Sequence, residues 1–207
     1  MEIDLYSVVN VLGLSGIAVF AVSGALDAAR QKMDILGFML IGCATGLGGG
    51  TLRDLLLGNT PVYWVREPVY VAISLSAAVL TYFVVPYIAS RTRSLLWMDA
   101  IGMALFSVTG AQIALSSGAS LLIAACMGVM TASFGGIIRD VLCGSDLVLS
   151  SRELYVSASL AGASTYLMLE WLAVPEGMAL IGGFLAALVL RGGAILFGWN
   201  LPAYHRD

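Results

Sequence analysis

The sequence predicts an all-α integral membrane protein with seven transmembrane helices. They form an inverted repeat of three helices plus three, with glycine-kinked second and fifth helices, and a seventh helix is left over. Two observations predict this fold. Apolar residues make up 59% of the chain and charged residues only 11%, whereas a soluble domain carries about 25% charged residues. In addition, two parts of the chain match in a constant register of 86 residues.

The predicted transmembrane helices follow from the long uncharged stretches. About 20 apolar residues at about 1.5 Å each cross about 30 Å of hydrocarbon. The longest stretch, 100–138, is long enough for two crossings and has a turn at 116–118. The predicted spans are 8–27, 36–57, 69–88, 95–115, 120–142, 153–171 and 177–198. Glu170 and Arg191 weaken the last two, and we expect Arg191 to snorkel to the interface.

The charge distribution predicts an orientation. We interpret residues 1–207 as one transmembrane domain, with a first repeat at about 8–88, a second at about 95–171 and an extra helix at about 177–198. Basic residues favour the cytoplasmic side of a membrane. One predicted face collects Arg30, Lys32, Arg91, Arg93, Arg152 and Arg206, with Arg139 and Arg191 nearer to it, and the other has Arg66 and Arg53. We therefore expect the N-terminus outside and the C-terminus in the cytoplasm.

The repeat is clearest at one motif. Residues 46–54 read GLGGGTLRD and are followed by Gly58; residues 132–140 read ASFGGIIRD and are followed by Gly144. Because each copy holds three predicted spans, the second copy enters the membrane from the opposite face. Inverted repeats of this kind are common in transport proteins, where the working site lies between the halves near the midplane.

The glycine clusters have two interpretations. Glycine inside a helix costs about 1 kcal/mol relative to alanine, so 48–50 could break the second span. Freed backbone groups are tolerated in a membrane only where protein or water covers them, which would indicate a permeation path. Alternatively, Gly42, Gly46 and Gly50 form a GxxxGxxxG pattern typical of close helix packing. The Arg-Asp pair that follows each cluster favours the path.

These pairs are Arg53-Asp54 and Arg139-Asp140. Charges inside a span are costly and usually face the protein interior or water. Inverted symmetry predicts one pair toward each mouth. Since adjacent residues lie about 100° apart on a helix, we expect the two members of a pair to point in different directions. The alternative is that both pairs simply mark span ends at the headgroups.

The predicted ion path is drawn from the glycine clusters and their polar neighbours. Its members are Thr45, Gly48, Gly49, Gly50, Thr51, Arg53, Asp54, Thr131, Ser133, Gly135, Gly136, Arg139 and Asp140. Secondary candidates, which supply further oxygen atoms at plausible depths, are Ser23, Asp27, Asp99, Thr109 and Gln112. Backbone and side-chain oxygens of this kind replace part of the hydration shell of a cation in channels.

Several function classes are disfavoured. The sequence shows no Ser-His, Cys-His, metal-ligand or phosphate-loop arrangement, so we expect no enzyme. We expect no cofactor, no metal site and no nucleic-acid partner. The cysteines at 43, 126 and 143 are expected to act as small apolar residues.

At these motifs the sequence resembles the trimeric intracellular cation channel (TRIC) family, specifically its prokaryotic branch. The stretch 46–54, followed by Gly58 and Pro61, and the stretch 134–140 carry the resemblance, which covers about 8–200. It implies seven spans in an inverted three-plus-three repeat and a homotrimer with one pore in each subunit. Carried onto this sequence, the helix kinks fall on Gly48, Gly49, Gly50, Gly135 and Gly136.

The resemblance also implies potassium-selective conduction of monovalent cations. The resulting hypothesis is a homotrimeric, potassium-permeable channel in a prokaryotic inner membrane, with potassium and membrane lipids as partners. The alternative is a secondary transporter of a small amino acid such as glycine, because some prokaryotic relatives have been catalogued as glycine transporters. In that case, kinked helix N-termini would hold the carboxylate and an aspartate the ammonium group.

Overall fold

The computed structural model describes residues 5–88, 90–145 and 154–200, with side chains described from residue 10 onward in these ranges. Long helices make up most of them. The α-helices are α1 (Leu5–Arg30), α2 (Ile35–Leu57), α3 (Tyr63–Arg66), α4 (Val69–Val84), α5 (Arg91–Ser116), α6 (Leu121–Cys143), α7 (Val156–Trp171) and α8 (Glu176–Phe197), and a 3₁₀ turn at Val85–Tyr87 extends α4. Arg152, Arg206 and the predicted start of the sixth span at 153 lie outside the described residues.

Six helices of the described ranges are long and apolar enough to cross a membrane, so the chain is a multi-pass membrane protein. Their bounds lie close to the predicted spans: 36–57 is observed as Ile35–Leu57 and 120–142 as Leu121–Cys143. Helix α7 has 16 residues, fewer than the about 20 that a crossing needs. The predicted crossing at 153–171, and with it the total of seven, therefore stays a prediction.

The helix bounds recur in the register of the sequence repeat. Helix α5 begins and ends 86 residues after α1, and α6 begins and ends 86 residues after α2. Gly58 and Gly144 end α2 and α6 with left-handed φ values of 72° and 62°. Glycine adopts this conformation without a steric penalty, and its amide bonds back to the last carbonyls of the helix.

The predicted break at the glycine clusters is wrong, because α2 and α6 are continuous helices through 46–50 and 135–136. The glycines instead allow two backbones to touch. A Cβ atom at Gly49 would overlap the carbonyl oxygen of Thr131, and a Cβ atom at Gly135 would overlap that of Thr45. The interpretation of close helix packing therefore holds at Gly49 and Gly135.

The contacts between the two repeats show that equivalent helices run antiparallel. On α2 and α6, residue 49 meets 131 while 45 meets 135. On α1 and α5, Gly16 packs against Phe106 and Gly102 against Phe20. These four helices form the centre of the protein. Helix α4 packs on α1 and α2, and α7 and α8 pack on each other and on α5.

We predict that Gly49→Ala destabilises the protein by about 1–3 kcal/mol, since the added methyl group has no space beside a backbone carbonyl. Thermal unfolding in detergent should show a lower Tm. The matched control is Gly177→Ala on α8, where a Cβ atom would meet no atom within 4 Å. Equal Tm values for Gly49→Ala and the unsubstituted protein would contradict the close α2–α6 contact.

Candidate functional site

The two Arg-Asp pairs lie at opposite ends of the four-helix centre. Because α2 and α6 are antiparallel, Arg53 and Arg139 extend in opposite directions from the contact between Thr45 and Gly135. The path from Arg53 to Thr45 on α2 and on from Gly135 to Arg139 on α6 spans at most about 18 Å, at about 1.5 Å per residue.

At one end, Arg53 and Asp54 bind each other. Arg53 Nε and Nη2 donate to Asp54 Oδ1 at 2.9 and 2.7 Å. Asp54 Oδ2 accepts the Tyr63 backbone N–H at 2.9 Å, and the guanidinium carbon lies 5.5 Å from the centroid of the Tyr63 ring. The expectation that neighbouring side chains would point apart is therefore wrong, because the long arginine folds back onto the aspartate that follows it.

At the other end, Arg139 has more partners. Its Nε donates to Asp140 Oδ1 at 2.8 Å, and its Nη1 donates to Ser23 Oγ and to Asp99 Oδ1, both at 2.7 Å. Asp27 Oδ2 lies 3.9 Å from Arg139 Nε. All five side chains are buried. Since isolated buried charges are very costly, this dense pairing is what makes the cluster stable.

The Arg139 cluster is tied to the surface through one of its carboxylates. Asp27 Oδ1 accepts from Arg30 Nη1 at 3.2 Å, and Asp27 Oδ2 accepts from Ser145 Oγ at 2.9 Å. Arg30 is exposed at the end of α1, and Ser145 follows α6. This end of the molecule therefore joins a buried ionic cluster to a basic surface.

An aromatic pair separates the two ends. The rings of Phe20 and Phe106 are 5.1 Å apart between centroids, and both side chains are buried. On α1, residues 13 and 17 lie on the Arg53 side of this pair, and residues 23 and 27 lie on the Arg139 side. Spacings of three and four residues place all of them on one face of the helix. The residues from Arg53 through the Phe20–Phe106 pair to Arg139 thus form a line through the protein, with two polar ends and an apolar middle.

A cavity of about 80 Å³ lies beside Arg53. Its walls include Asn10, Gly13, Tyr63, Thr109 and Phe106. Since a water molecule takes up about 30 Å³ in the liquid, a cavity of this size holds two or three waters or one small ion.

Three threonines of the line bond to their own helices. Thr45 and Thr131 each donate to the carbonyl four residues earlier at 2.6 Å, and Thr109 does the same at 2.9 Å. A hydroxyl that donates its proton still has lone pairs that can face a cation. The three are buried in the centre of the protein.

Other predicted path residues lie elsewhere. Gly48 and Thr51 line a separate apolar groove between α2 and α6, where Thr51 Oγ1 accepts from Trp64 Nε1 at 2.9 Å. Their helix positions face away from 49 and 53, so they do not join the line. Gln112 Nε2 donates to Glu176 Oε1 at 3.0 Å, toward α8. Ser133 Oγ is buried and makes no hydrogen bond with the described residues.

Tyr155 and Arg191 pack beside the Arg139 cluster and were not among the predicted site residues. Arg191 is 0% exposed, so the expectation that it snorkels is wrong. Its guanidinium carbon lies 5.2 Å from the centroid of the Tyr155 ring. A Cβ atom at Gly136 would meet Tyr155 Oη at 3.3 Å and Asp99 Oδ1 at 3.4 Å, which places this ring beside the Arg139 cluster. An arginine inside an apolar stretch was the signal, since such charges usually face the interior.

Comparison with known proteins finds a matching family model and relatives that are similar over nearly the whole chain. A family model described as "Glycine transporter" matches residues 10–86 and again 96–171. The UPF0126 inner membrane protein YadS of Escherichia coli is 36% identical over 95% of this chain and 96% of its own.

Solved structures are similar over nearly the whole chain. The TRIC trimeric intracellular cation channel orthologue from Rhodobacter sphaeroides is 49% identical, with a TM-score of 0.91 over 93% of this chain and 100% of that one. A second structure, described as showing the structural basis for conductance through TRIC cation channels, is 34% identical, with a TM-score of 0.85 over 96% and 98% of the two chains. With the double family match and this shared fold, the chain belongs to the prokaryotic branch of the trimeric intracellular cation channel family.

Proposed function

We propose that this protein conducts monovalent cations, with potassium as the physiological ion, along the line between its two Arg-Asp pairs. The observation that carries the proposal is that line itself, formed by α1, α2, α5 and α6, with polar ends on either side of the Phe20–Phe106 pair. The similar solved structures are described as cation channels, which supports the same class of function here.

The charges at the Arg139 end favour a cation. Asp27, Asp99 and Asp140 lie around Arg139, and Arg30 pairs with Asp27 at the surface, so three carboxylates meet two guanidinium groups at this end. While Arg139 occupies this position, its charge and volume block the line. Displacement of the arginine from Asp99 and Asp27 would open the line and leave carboxylates facing it, which is the arrangement that cation pathways use.

The apolar middle acts as a second barrier. The buried rings of Phe20 and Phe106 pack against each other with 5.1 Å between centroids, and a hydrated ion cannot cross until the rings part. Near the rings, the Thr45 hydroxyl supplies an oxygen atom beside Gly24 of α1, and the Thr131 hydroxyl supplies one beside Gly110 of α5. Helix kinking at the glycine clusters of α2 and α6 would part these two helices, and it belongs to the conducting state in this proposal.

The assembly follows the same family pattern. We propose seven crossings in a single transmembrane domain, an inverted three-plus-three repeat and a homotrimer with a pore in each subunit, surrounded by the lipids of an inner membrane. The repeated helix bounds, the double family match and the description of YadS as an inner membrane protein support this. The Arg139 end faces the cytoplasm, because Arg30 and Lys32 lie there.

Single-channel recording in a planar bilayer, with potassium on one side and sodium on the other, tests the proposal. A channel gives discrete current steps, and potassium preference shifts the reversal potential toward the potassium equilibrium value. Electrical silence at all voltages, together with saturable glycine uptake into proteoliposomes, would instead establish a carrier for a small amino acid.

We predict that Asp99→Asn raises the open probability about tenfold. The substitution weakens a charge-assisted hydrogen bond to Arg139 Nη1, and such bonds contribute about 1.5–3 kcal/mol. Single-channel recording measures the effect. Asp34→Asn is the matched control, because Asp34 is exposed and caps α2, and asparagine caps helices equally well. An open probability no higher than that of the unsubstituted channel would argue against Arg139 as the gate.

We predict that Phe106→Ala increases the resting cation leak by at least about tenfold, since loss of one ring widens the apolar passage. Fluorescence flux assays in potassium-loaded liposomes provide the measurement. Phe83→Ala removes the same ring from the outer surface of α4, where the side chain is 61% exposed, and should leave the leak unchanged. If both variants leak equally, the Phe20–Phe106 pair is not the barrier.

A further inference from the structure

The cavity beside Arg53 has a counterpart in the other repeat. Residues 86 positions apart occupy equivalent places in the two halves, so the Arg53 cavity corresponds to the Arg139 cluster. The differences between the two ends include Gly13 against Asp99, Thr109 against Ser23, and Ile113 against Asp27. The Arg139 end therefore has carboxylates at positions where the Arg53 end has uncharged residues that line the cavity.

The hydrogen bonds of the two arginines differ in the same way. Asp54 holds Arg53 through Nε and Nη2, as Asp140 holds Arg139. Arg139 Nη1 then donates to Asp99 Oδ1 at 2.7 Å. Arg53 Nη1, by contrast, donates to no side chain of the described residues.

The space for an equivalent carboxylate exists. Gly13 has no side chain, and a Cβ atom built on it would meet no atom within 4 Å. The resulting cavity of about 80 Å³ lies against Arg53, which is 7% exposed. It also touches Asn10, whose Oδ1 accepts from Tyr70 Oη at 3.2 Å, which leaves the amide N–H groups as donors.

We propose that this cavity binds a small carboxylate ion, one oxygen of which accepts from Arg53 Nη1 as Asp99 Oδ1 accepts from Arg139 Nη1. A charge-assisted hydrogen bond to a buried guanidinium is stronger than the same contact in water. The other repeat shows that this fold accommodates a second carboxylate on the equivalent arginine. Ions with the size of formate or acetate fit this volume.

The site does not depend on conduction, so a binding measurement tests it separately from the proposed channel. Purified protein in detergent is titrated with sodium acetate and followed by saturation-transfer NMR and by thermal unfolding. Sodium chloride and sodium gluconate at equal ionic strength are the references. We expect a saturable acetate signal and a rise in Tm that neither reference produces. No saturable signal at about 100 mM acetate, where a site with a Kd of about 1 mM is nearly full, would overturn the proposal.

Gly13→Asp supplies the carboxylate from the chain itself. We expect acetate affinity to fall at least tenfold and Tm in chloride to rise toward the acetate-bound value of the unsubstituted protein. Gly177→Asp adds the same group to another helical glycine with open space around it and should keep acetate binding. Should Gly13→Asp fail to fold, Gly13→Asn fills the cavity without a charge and must also lose acetate. Unchanged acetate binding in either folded Gly13 variant would overturn the proposal.

Discussion

The close contact between the backbones of α2 and α6 determines where everything else in the centre of this protein lies. Gly49 rests on the carbonyl of Thr131 and Gly135 on that of Thr45, so the two backbones are in direct contact at these positions. Within a membrane this is possible only because each helix keeps its own hydrogen bonds. The crossing directs Arg53 and Arg139 to opposite ends and leaves the polar line beside it, along α1 and α5.

The two ends of that line are built from one motif but have become different. The Arg-Asp pair recurs on α2 and α6, while the residues that face it come from α1 and α5 and were not kept equal. Asp27 and Asp99 close the Arg139 end, and Gly13 and Thr109 leave the Arg53 end hollow. The two halves of a membrane protein face different solutions. With this asymmetry, Arg139 is held by carboxylates at one end, while Arg53 borders a cavity at the other.

Residues outside the four central helices pack against the charged residues at both ends of the line. Tyr63 on α3 binds the Asp54 carboxylate through its backbone N–H and lies under Arg53 with its ring. At the other end, Tyr155 precedes α7 and receives Arg191 from α8, the helix without a counterpart in the repeat. An aromatic ring therefore packs beside the charged residues at each end. Movement of α3 or α8 would change these contacts.

The sequence by itself determined the membrane class and the approximate position of the long helices, because hydropathy is a local property of the chain, and it shows the repeat as matching residues 86 positions apart. Segment 36–57 was predicted almost to the residue for this reason. Only the tertiary structure decided that the glycines pack against carbonyls instead of breaking the helices, and that Arg191 is buried. It also decided that Arg139 binds Asp99 and Ser23, which lie 40 and 116 residues away along the chain. Such contacts depend on how distant helices meet, and no local pattern records that.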